Sequence, residues 1–323
     1  MFQDYQVAYL RRNVRVREAK PLSFLRESVA YVLSQAARSI PHAAAIAHYD
    51  VTPLVEYGKR WTDDKEQDQE TDFAPSKLQR AIRRIYSPFF VKAVAHCLHH
   101  VPQLNGFLDY APMRTGGTLY IAEDINLSFT VHTKYGVLKP IVRNPHKKKL
   151  ETVANEMRAL SRKARRTNAE ELYRKAARAY LGSALREINI GALPTLWVYL
   201  RSVLRARRRK DQEAPTVAPE DTLQVSDILG ATCTVANIGM MMSGHQTVTV
   251  IIPPEMMMFG IGDIHQVPWV VDGKVVPRHV VTVAGTIDHR AFDGGEVFPF
   301  YHHLKRYIDD PSLIYDWTEG DDV

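Results

Sequence analysis

The stretch Thr286-Ile-Asp-His-Arg-Ala-Phe-Asp-Gly-Gly295 is the most informative part of this 323-residue chain. Its central residue, His289, is a candidate general base. Imidazole ordinarily titrates near about pH 6.5 and can take the proton of a thiol, which titrates near about pH 8.5. Asp293 follows four residues later, one helical turn or one tight loop away, where it can hold the local backbone. Gly294 and Gly295 permit a turn that other residues resist. The pattern therefore makes His289 a candidate base for chemistry on a thiol.

Short motifs elsewhere in the chain add to this pattern, which alone does not separate a catalytic histidine from a structural one. They cover residues 21–30, 39–43, 49–54, 88–95, 101–105, 133–143, 150–165, 230–240 and 253–255. Together with the histidine motif, they resemble the catalytic domain of the dihydrolipoyl acyltransferase component of 2-oxo acid dehydrogenase complexes, a relative of chloramphenicol acetyltransferase. The resemblance implies an α+β fold of the chloramphenicol acetyltransferase-like type, a mixed sheet flanked by helices.

The resemblance also implies roles for individual residues. His289 matches the family's catalytic base. Arg26 matches an arginine of the opening helix, which is expected to form an ion pair with Asp293, next to Gly294. The family stabilises the oxyanion with a serine or threonine on the strand before Asn-Ile-Gly, where this chain has Ala236. Losing one such donor lowers the rate by about 10²–10³. The candidates for a replacement donor are Thr234, Asn237 and Ser243.

One long segment departs from the family pattern. Residues 167–222 are inserted between two parts of the predicted catalytic domain, 1–166 and 223–323. Apolar residues at helical spacing predict an amphipathic helix at 172–188. A second helix is predicted from Pro194 to the basic run 205–210, followed by a proline-containing linker. Two interpretations stay open: the helices pack against protein, or segment 188–210 contacts an anionic membrane surface.

Composition indicates the compartment and excludes several kinds of ligand. Two cysteines provide no disulfide framework, and the sequence has neither a signal peptide nor a stretch apolar enough to span a bilayer. We therefore expect a cytoplasmic protein, at most peripheral to a membrane. His96, His99 and His100 share helical spacing but lack further convergent ligands, so no metal is expected. The net charge of +6 suits an anionic partner, but no nucleic-acid-binding fold accompanies it, so no nucleic acid is expected.

The resemblance further implies the substrate and the partners. Coenzyme A is expected as a substrate, bound in a homotrimer whose active sites lie between subunits. The predicted core begins at residue 21, which leaves no room for a lipoyl domain before it. We therefore expect no covalent lipoyl group on this chain, and a lipoyl or other thiol carrier protein acting in trans. The acidic tail at 314–323 is expected to be solvated, so that assembly stops at the trimer.

Three functions remain open on the sequence alone. The first is an acyltransferase that moves an acyl group between coenzyme A and a carrier thiol. The second is an acetyltransferase that acts on a small hydroxyl compound, as the chloramphenicol relatives do. The third is a catalytically weak scaffold whose basic insertion binds a membrane or a protein partner.

Overall fold

The computed structural model describes residues 2–63, 77–110, 116–186, 218–239 and 247–321. The helices of this part of the chain are α1 (Phe2–Asn13), α2 (Phe24–Ser39), α3 (Thr52–Asp63), α4 (Lys77–His100), α5 (Leu150–Arg166), α6 (Ala169–Arg186), α7 (Gly294–Asp309) and α8 (Ser312–Tyr315). The strands are β1 (His42–Asp50), β2 (Gly106–Asp109), β3 (Thr118–Ile121), β4 (Asn126–Phe129), β5 (Val131–Thr133), β6 (Gly136–Leu138), β7 (Ile141–Arg143), β8 (Cys233–Asn237), β9 (Met257–Val271) and β10 (Lys274–Asp288). Short 3₁₀ turns lie at Pro102–Leu104, Pro145–Lys147, Pro219–Asp221 and Val225–Asp227.

Six strands form one mixed sheet in the order β1-β10-β9-β8-β4-β7. β8 runs parallel to both β4 and β9, while the pairs β9–β10, β10–β1 and β4–β7 are antiparallel. Two further ribbons, β2–β3 and β5–β6, lie outside this sheet. The mixed sheet with flanking helices confirms the predicted α+β class.

The long β9–β10 hairpin sets the position of the histidine motif. Its turn is Asp272-Gly273, and both residues have positive φ values of 50° and 77°, as a two-residue turn of the hairpin type requires. The second strand then runs for 15 residues and ends at Asp288. Its last nine residues are buried or nearly so, which fixes the register of the residues that follow.

The main core lies between one face of the sheet and the helices α4, α5 and α7. α4 is buried along its second half, where Phe89, Phe90, Val94 and Leu98 are inaccessible to solvent. α2 begins with Ser23 as its N-cap, since the Ser23 Oγ accepts a hydrogen bond from the Arg26 amide at 3.2 Å. The sequence motifs do not predict α1.

The predicted insertion is helical where the structure describes it. α6 covers the first predicted helix, and its residues Leu172 and Ala176 are buried. The second predicted helix, the basic run 205–210 and the whole of segment 188–210 lie outside the described residues. Among the helices that the structure does describe, none combines the length and the apolar character needed to cross a bilayer.

The end of the chain folds back onto its own core. Ile314, Tyr315 and Trp317 are buried, whereas residues 318–321 are exposed. The Tyr315 ring lies 4.9 Å from the Tyr57 ring and 5.9 Å from the Phe89 ring, measured between centroids. The expectation of a solvated tail is therefore wrong for its apolar residues, because α3 and α4 offer them an apolar surface within the same chain.

Candidate active site

His289 lies directly after β10. The backbone at Asp288 and His289 continues the hydrogen-bond pattern of the sheet toward two neighbouring segments. The His289 amide donates to the Pro41 carbonyl at 3.0 Å, and the amide of Asp288 donates to the Met256 carbonyl at 2.9 Å. The backbone at the histidine is thus held from both sides, by the start of β1 and by the segment that leads into β9. A fixed backbone is the first requirement for a base that must meet a thiol at hydrogen-bond distance.

The His289 side chain faces Asp293. Its Nδ1 atom lies 3.4 Å from the Asp293 Oδ1 atom, and the two side chains are 47% and 84% exposed. This distance exceeds that of a normal hydrogen bond, so the carboxylate orients the ring more than it stabilises a charge. A carboxylate beside Nδ1 favours the tautomer with its proton there, which leaves Nε2 free to accept a proton.

Asp293 also starts α7. It is the N-cap of the helix, and its amide donates to the Glu296 Oε2 atom at 2.7 Å in a capping box. Gly294 and Gly295 are helical residues at the start of α7, and a Cβ atom added to either would meet no atom within 4 Å. The expected special turn at these glycines is therefore absent from the described chain, and the capped helix start takes its place.

The expected ion pair between Arg26 and Asp293 is not formed within the described chain, where the Asp293 carboxylate faces His289. Arg26 is an exposed residue of the first turn of α2, whereas the other end of that helix leads to Pro41 and His289. Ser39 follows Arg26 by thirteen residue steps of helix, which places them about 20 Å apart.

Asp288 and Arg290 form the ion pair that supports the histidine instead. Asp288 is buried, and its two carboxylate oxygens accept from the Arg290 Nε and Nη2 atoms at 2.9 and 2.6 Å. The hydrogen bonds to Asp288 raise the pKa of Arg290. The guanidinium carbon lies 5.8 Å from the centroid of the Tyr110 ring. The sequence interpretation missed this pair, although opposite charges on either side of His289 were a signal for it.

The strand that carries the expected oxyanion donor offers no free hydroxyl. Ala236 is only 4% exposed, and it belongs to an apolar cluster with Ala36, Ile40, Ile251 and Met258. Beyond it, Gly239 approaches the neighbouring strand so closely that a Cβ atom would lie 2.3 Å from the Asp263 Cα atom. The motif around Ala236 is therefore fixed by close packing.

Two of the candidate replacement donors are already engaged. The Thr234 hydroxyl donates to Glu255, and it also meets the Ser128 Oγ atom at 2.6 Å and the Lys139 Nζ atom at 3.0 Å. The Asn237 Nδ2 atom donates to the Ser87 Oγ atom at 2.9 Å. Ser243 lies outside the described residues. A hydroxyl has a single proton, so Thr234 cannot also donate to an oxyanion.

His289 and Ala236 lie far apart within one chain. Ala236 pairs with Gly260, and Gly260 pairs with Ala284, five residues before His289. Two strand spacings and five residues of rise give offsets of about 10 and 16 Å, and hence a Cα separation of roughly 19 Å. A base and an oxyanion donor that serve one carbonyl must lie much closer. The two halves of the expected site therefore do not meet within one chain.

Comparison with known families gives a match over most of the chain. The family model for 2-oxoacid dehydrogenases acyltransferase (catalytic domain) matches residues 15–173 and 208–315. The interval between these two matches lies inside the predicted insertion, 167–222.

Two sequence relatives are components of a multienzyme complex. The dihydrolipoyllysine-residue acetyltransferase component of the pyruvate dehydrogenase complex from Bacillus subtilis strain 168 is 25% identical over 294 residues, which are 91% of this chain and 50% of that protein. The same component from Staphylococcus aureus strain Mu50 is 23% identical over 291 residues, which are 90% and 51% of the two chains. The chain thus spans about half the length of these relatives.

Solved structures share the fold. The dihydrolipoamide acetyltransferase of Azotobacter vinelandii aligns with a TM-score of 0.63 at 20% identity, over 93% of this chain and 94% of that one. In that protein, roles in the catalytic mechanism were investigated for a serine, a histidine and an asparagine four residues after the histidine. A truncated catalytic core of the 2-oxoacid dehydrogenase multienzyme complex from Thermoplasma acidophilum aligns with a TM-score of 0.58 at 18% identity, over 91% and 99% of the two chains.

Proposed function

The chain belongs to the 2-oxoacid dehydrogenase acyltransferase family, as its catalytic domain, and from this we propose that it moves an acyl group between coenzyme A and a thiol carrier. The carrier is a lipoyl group or a similar thiol supplied in trans. The observation that carries the proposal is the half-exposed His289 ring, whose backbone is held by Pro41 and whose Nδ1 atom faces Asp293. The same spacing of four residues separates the histidine and the asparagine investigated in the Azotobacter protein.

In the proposed reaction, His289 acts through its Nε2 atom. It takes the proton of the acceptor thiol, and the thiolate attacks the carbonyl carbon of the acyl thioester. A tetrahedral intermediate with a negative oxygen forms. It collapses by breaking the bond between carbon and sulfur, and the departing thiolate takes the proton back from the His289 imidazolium. Asp293 keeps the ring in the required tautomer, and the ion pair between Asp288 and Arg290 holds the segment on which the ring is mounted.

The proposed active unit is a homotrimer with its sites between subunits. Within one chain, His289 and Ala236 are roughly 19 Å apart by strand spacing, too far to act on one carbonyl. A second copy can bring its own β8 to the exposed side of His289 and so complete the site. Light scattering at micromolar protomer concentration tests this proposal, since a monomeric protein with full activity contradicts it.

A histidine substitution with a matched control tests the chemistry. Acyl transfer from acetyl-coenzyme A to dihydrolipoamide is measured for the wild type, His289→Ala and His132→Ala. Loss of a general base lowers turnover by about 10²–10⁴. His132 is an exposed histidine of the β5–β6 ribbon, so its replacement is expected to leave turnover unchanged. Equal turnover of His289→Ala and wild type, in proteins of the same oligomeric state, rules out the proposed base.

A catalytically weak scaffold is the second candidate function. Ala236 favours it, because this chain lacks a hydroxyl where the family places its oxyanion donor, and Thr234 is engaged with Glu255. The two candidates differ in one measurement. A scaffold shows no transfer above the uncatalysed rate with wild-type protein, at any acyl-coenzyme A concentration and with either a thiol or an alcohol as acceptor.

A further inference from the structure

Six histidines meet where three parts of the fold come together. They come from the end of α4, from the 3₁₀ turn at Pro145–Lys147 and from the second half of α7. We call this set the histidine latch, and its members are His96, His99, His100, His146, His302 and His303.

Ring contacts connect the members of the latch. The His100 and His303 rings are stacked, with centroids 4.5 Å apart and planes 12° from parallel, and this pair joins α4 to α7. The His99 and His146 rings are stacked at 5.2 Å and 23°, which joins α4 to the 3₁₀ turn. His99 and His100 are themselves 5.8 Å apart. Each stacked pair places two titratable rings from different elements against each other.

The surroundings of the latch are mainly cationic. Lys92 of α4, Lys147 of the turn and Arg306 of α7 act on its members, and Asp124 is the acid that acts on His146. The other neighbours of His96 are the rings of Tyr307 and Trp317, at 5.9 and 5.6 Å. The cations oppose further positive charge in the latch.

Several latch nitrogens lack partners within the described chain. They are His96 Nε2, His146 Nδ1 and His303 Nδ1, and His96 is only 3% exposed. The residues described by the structure contain no group of three or more His, Cys, Asp or Glu side chains arranged to hold a metal ion. Neither hydrogen bonds nor metal ligation thus accounts for these nitrogens.

Burial opposes protonation of the inner members. It lowers the pKa of His96 to about 3 and that of His146 to about 4, with help from the neighbouring cations, and it also lowers the pKa of His303. An opened or unfolded chain takes up these protons near about pH 6.5, so acid favours the open form.

We propose that the histidine latch is an acid-sensitive joint, closed at neutral pH, that opens locally below about pH 6 and separates the ends of α4 and α7. Opening also releases Trp317, which is packed against His96 and lies 3.7 Å under the Lys92 Nζ atom, measured to the ring centroid. α7 carries two latch histidines in its second half and has Asp293 as its N-cap. The joint therefore couples acidification to the helix that starts at the candidate active site, whatever reaction that site performs.

Amide hydrogen exchange of the full chain, read by mass spectrometry at pH 6.5 and 5.5, tests the proposal. After correction for the intrinsic pH dependence of exchange, opening that takes up one proton per stacked pair, each with an open-state pKa near about 6.5, rises roughly 30-fold over this pH unit in residues 96–104 and 300–317. The variant His100→Gln/His303→Gln removes one pair, and its expected rise is roughly fivefold. His132→Gln, an exposed histidine outside the latch, is the control and is expected to behave as the wild type.

Three outcomes overturn the proposal. The first is no rise in the wild type. The second is an equal rise in the double variant and the wild type. The third is the same rise in the β5–β6 ribbon as in the latch peptides, because that result indicates global unfolding. If the double variant does not fold, His303→Gln alone gives the same comparison, because it leaves α4 unchanged.

Discussion

Asp288→Asn distinguishes the role of Asp288 from that of Asp293, the two acids near His289. The carboxylate of Asp288 is buried, and it holds the Arg290 guanidinium through two hydrogen bonds of 2.9 and 2.6 Å. An asparagine of the same shape loses the charge and turns an N–H group toward the arginine. Breaking a buried ion pair by removing one partner costs about 3–5 kcal/mol, and we take about 3 kcal/mol because Arg290 keeps some contact with water.

This free energy converts into a measurable change in melting temperature. With an unfolding entropy of about 2.1 cal/mol/K per residue, 3 kcal/mol lowers the Tm of a 323-residue chain by roughly 4–5 °C. Thermal unfolding is followed by calorimetry at one protomer concentration, because the stability of an oligomer depends on concentration. Asp293→Asn is the matched control. The Asp293 side chain is 84% exposed and asparagine caps helices as well as aspartate does, so its Tm should change by less than about 1 °C.

A double substitution tests whether the unpaired Arg290 guanidinium causes the loss of stability. If Asp288→Asn destabilises the protein by leaving a guanidinium unpaired, then Asp288→Asn/Arg290→Met should be more stable than Asp288→Asn alone. A Tm for Asp288→Asn within 1 °C of the wild type, or strictly additive losses in the double variant, would falsify the assignment of this pair as the support of the histidine segment.

Three further predictions concern pH, the missing hydroxyl and assembly. The free energy of unfolding should fall between pH 7 and pH 5. His96 and His146 have folded-state pKa values of about 3 and 4, below the pKa of about 6.5 in the unfolded chain. The unfolded chain therefore binds more protons than the folded chain in this range. The loss is up to about 2 kcal/mol per histidine at pH 5, and urea midpoints that do not move with pH contradict it. Ala236→Ser should raise turnover at least about tenfold, because the serine supplies an oxyanion donor. It should also lower the free energy of unfolding by about 1–3 kcal/mol, because its hydroxyl enters an apolar cluster. Unchanged turnover in the transfer assay argues against a donor role for that position. Electron microscopy should show trimers and not cages, since Ile314, Tyr315 and Trp317 are buried in their own chain and are not available to anchor a two-fold contact.

The sequence by itself determined the family, the fold class and the candidate base. These depend on local patterns: the spacing of four from His289 to Asp293, short motifs along the chain, and apolar periodicity at 172–188. Residues only a few positions apart in the sequence are also close in space. Their arrangement can therefore be predicted without knowledge of the fold.

Tertiary structure alone decided which distant residues are partners. It set Asp293 against His289, joined the Thr234 hydroxyl to Glu255 and Lys139, and brought His100 against His303. It also gave Asp288, and not Asp293, the buried ion pair, because β10 ends with Asp288 facing inward and α7 starts with Asp293 in solvent. Such contacts depend on strand register, helix direction and burial, which are set by packing of the whole chain and which no single stretch of sequence contains.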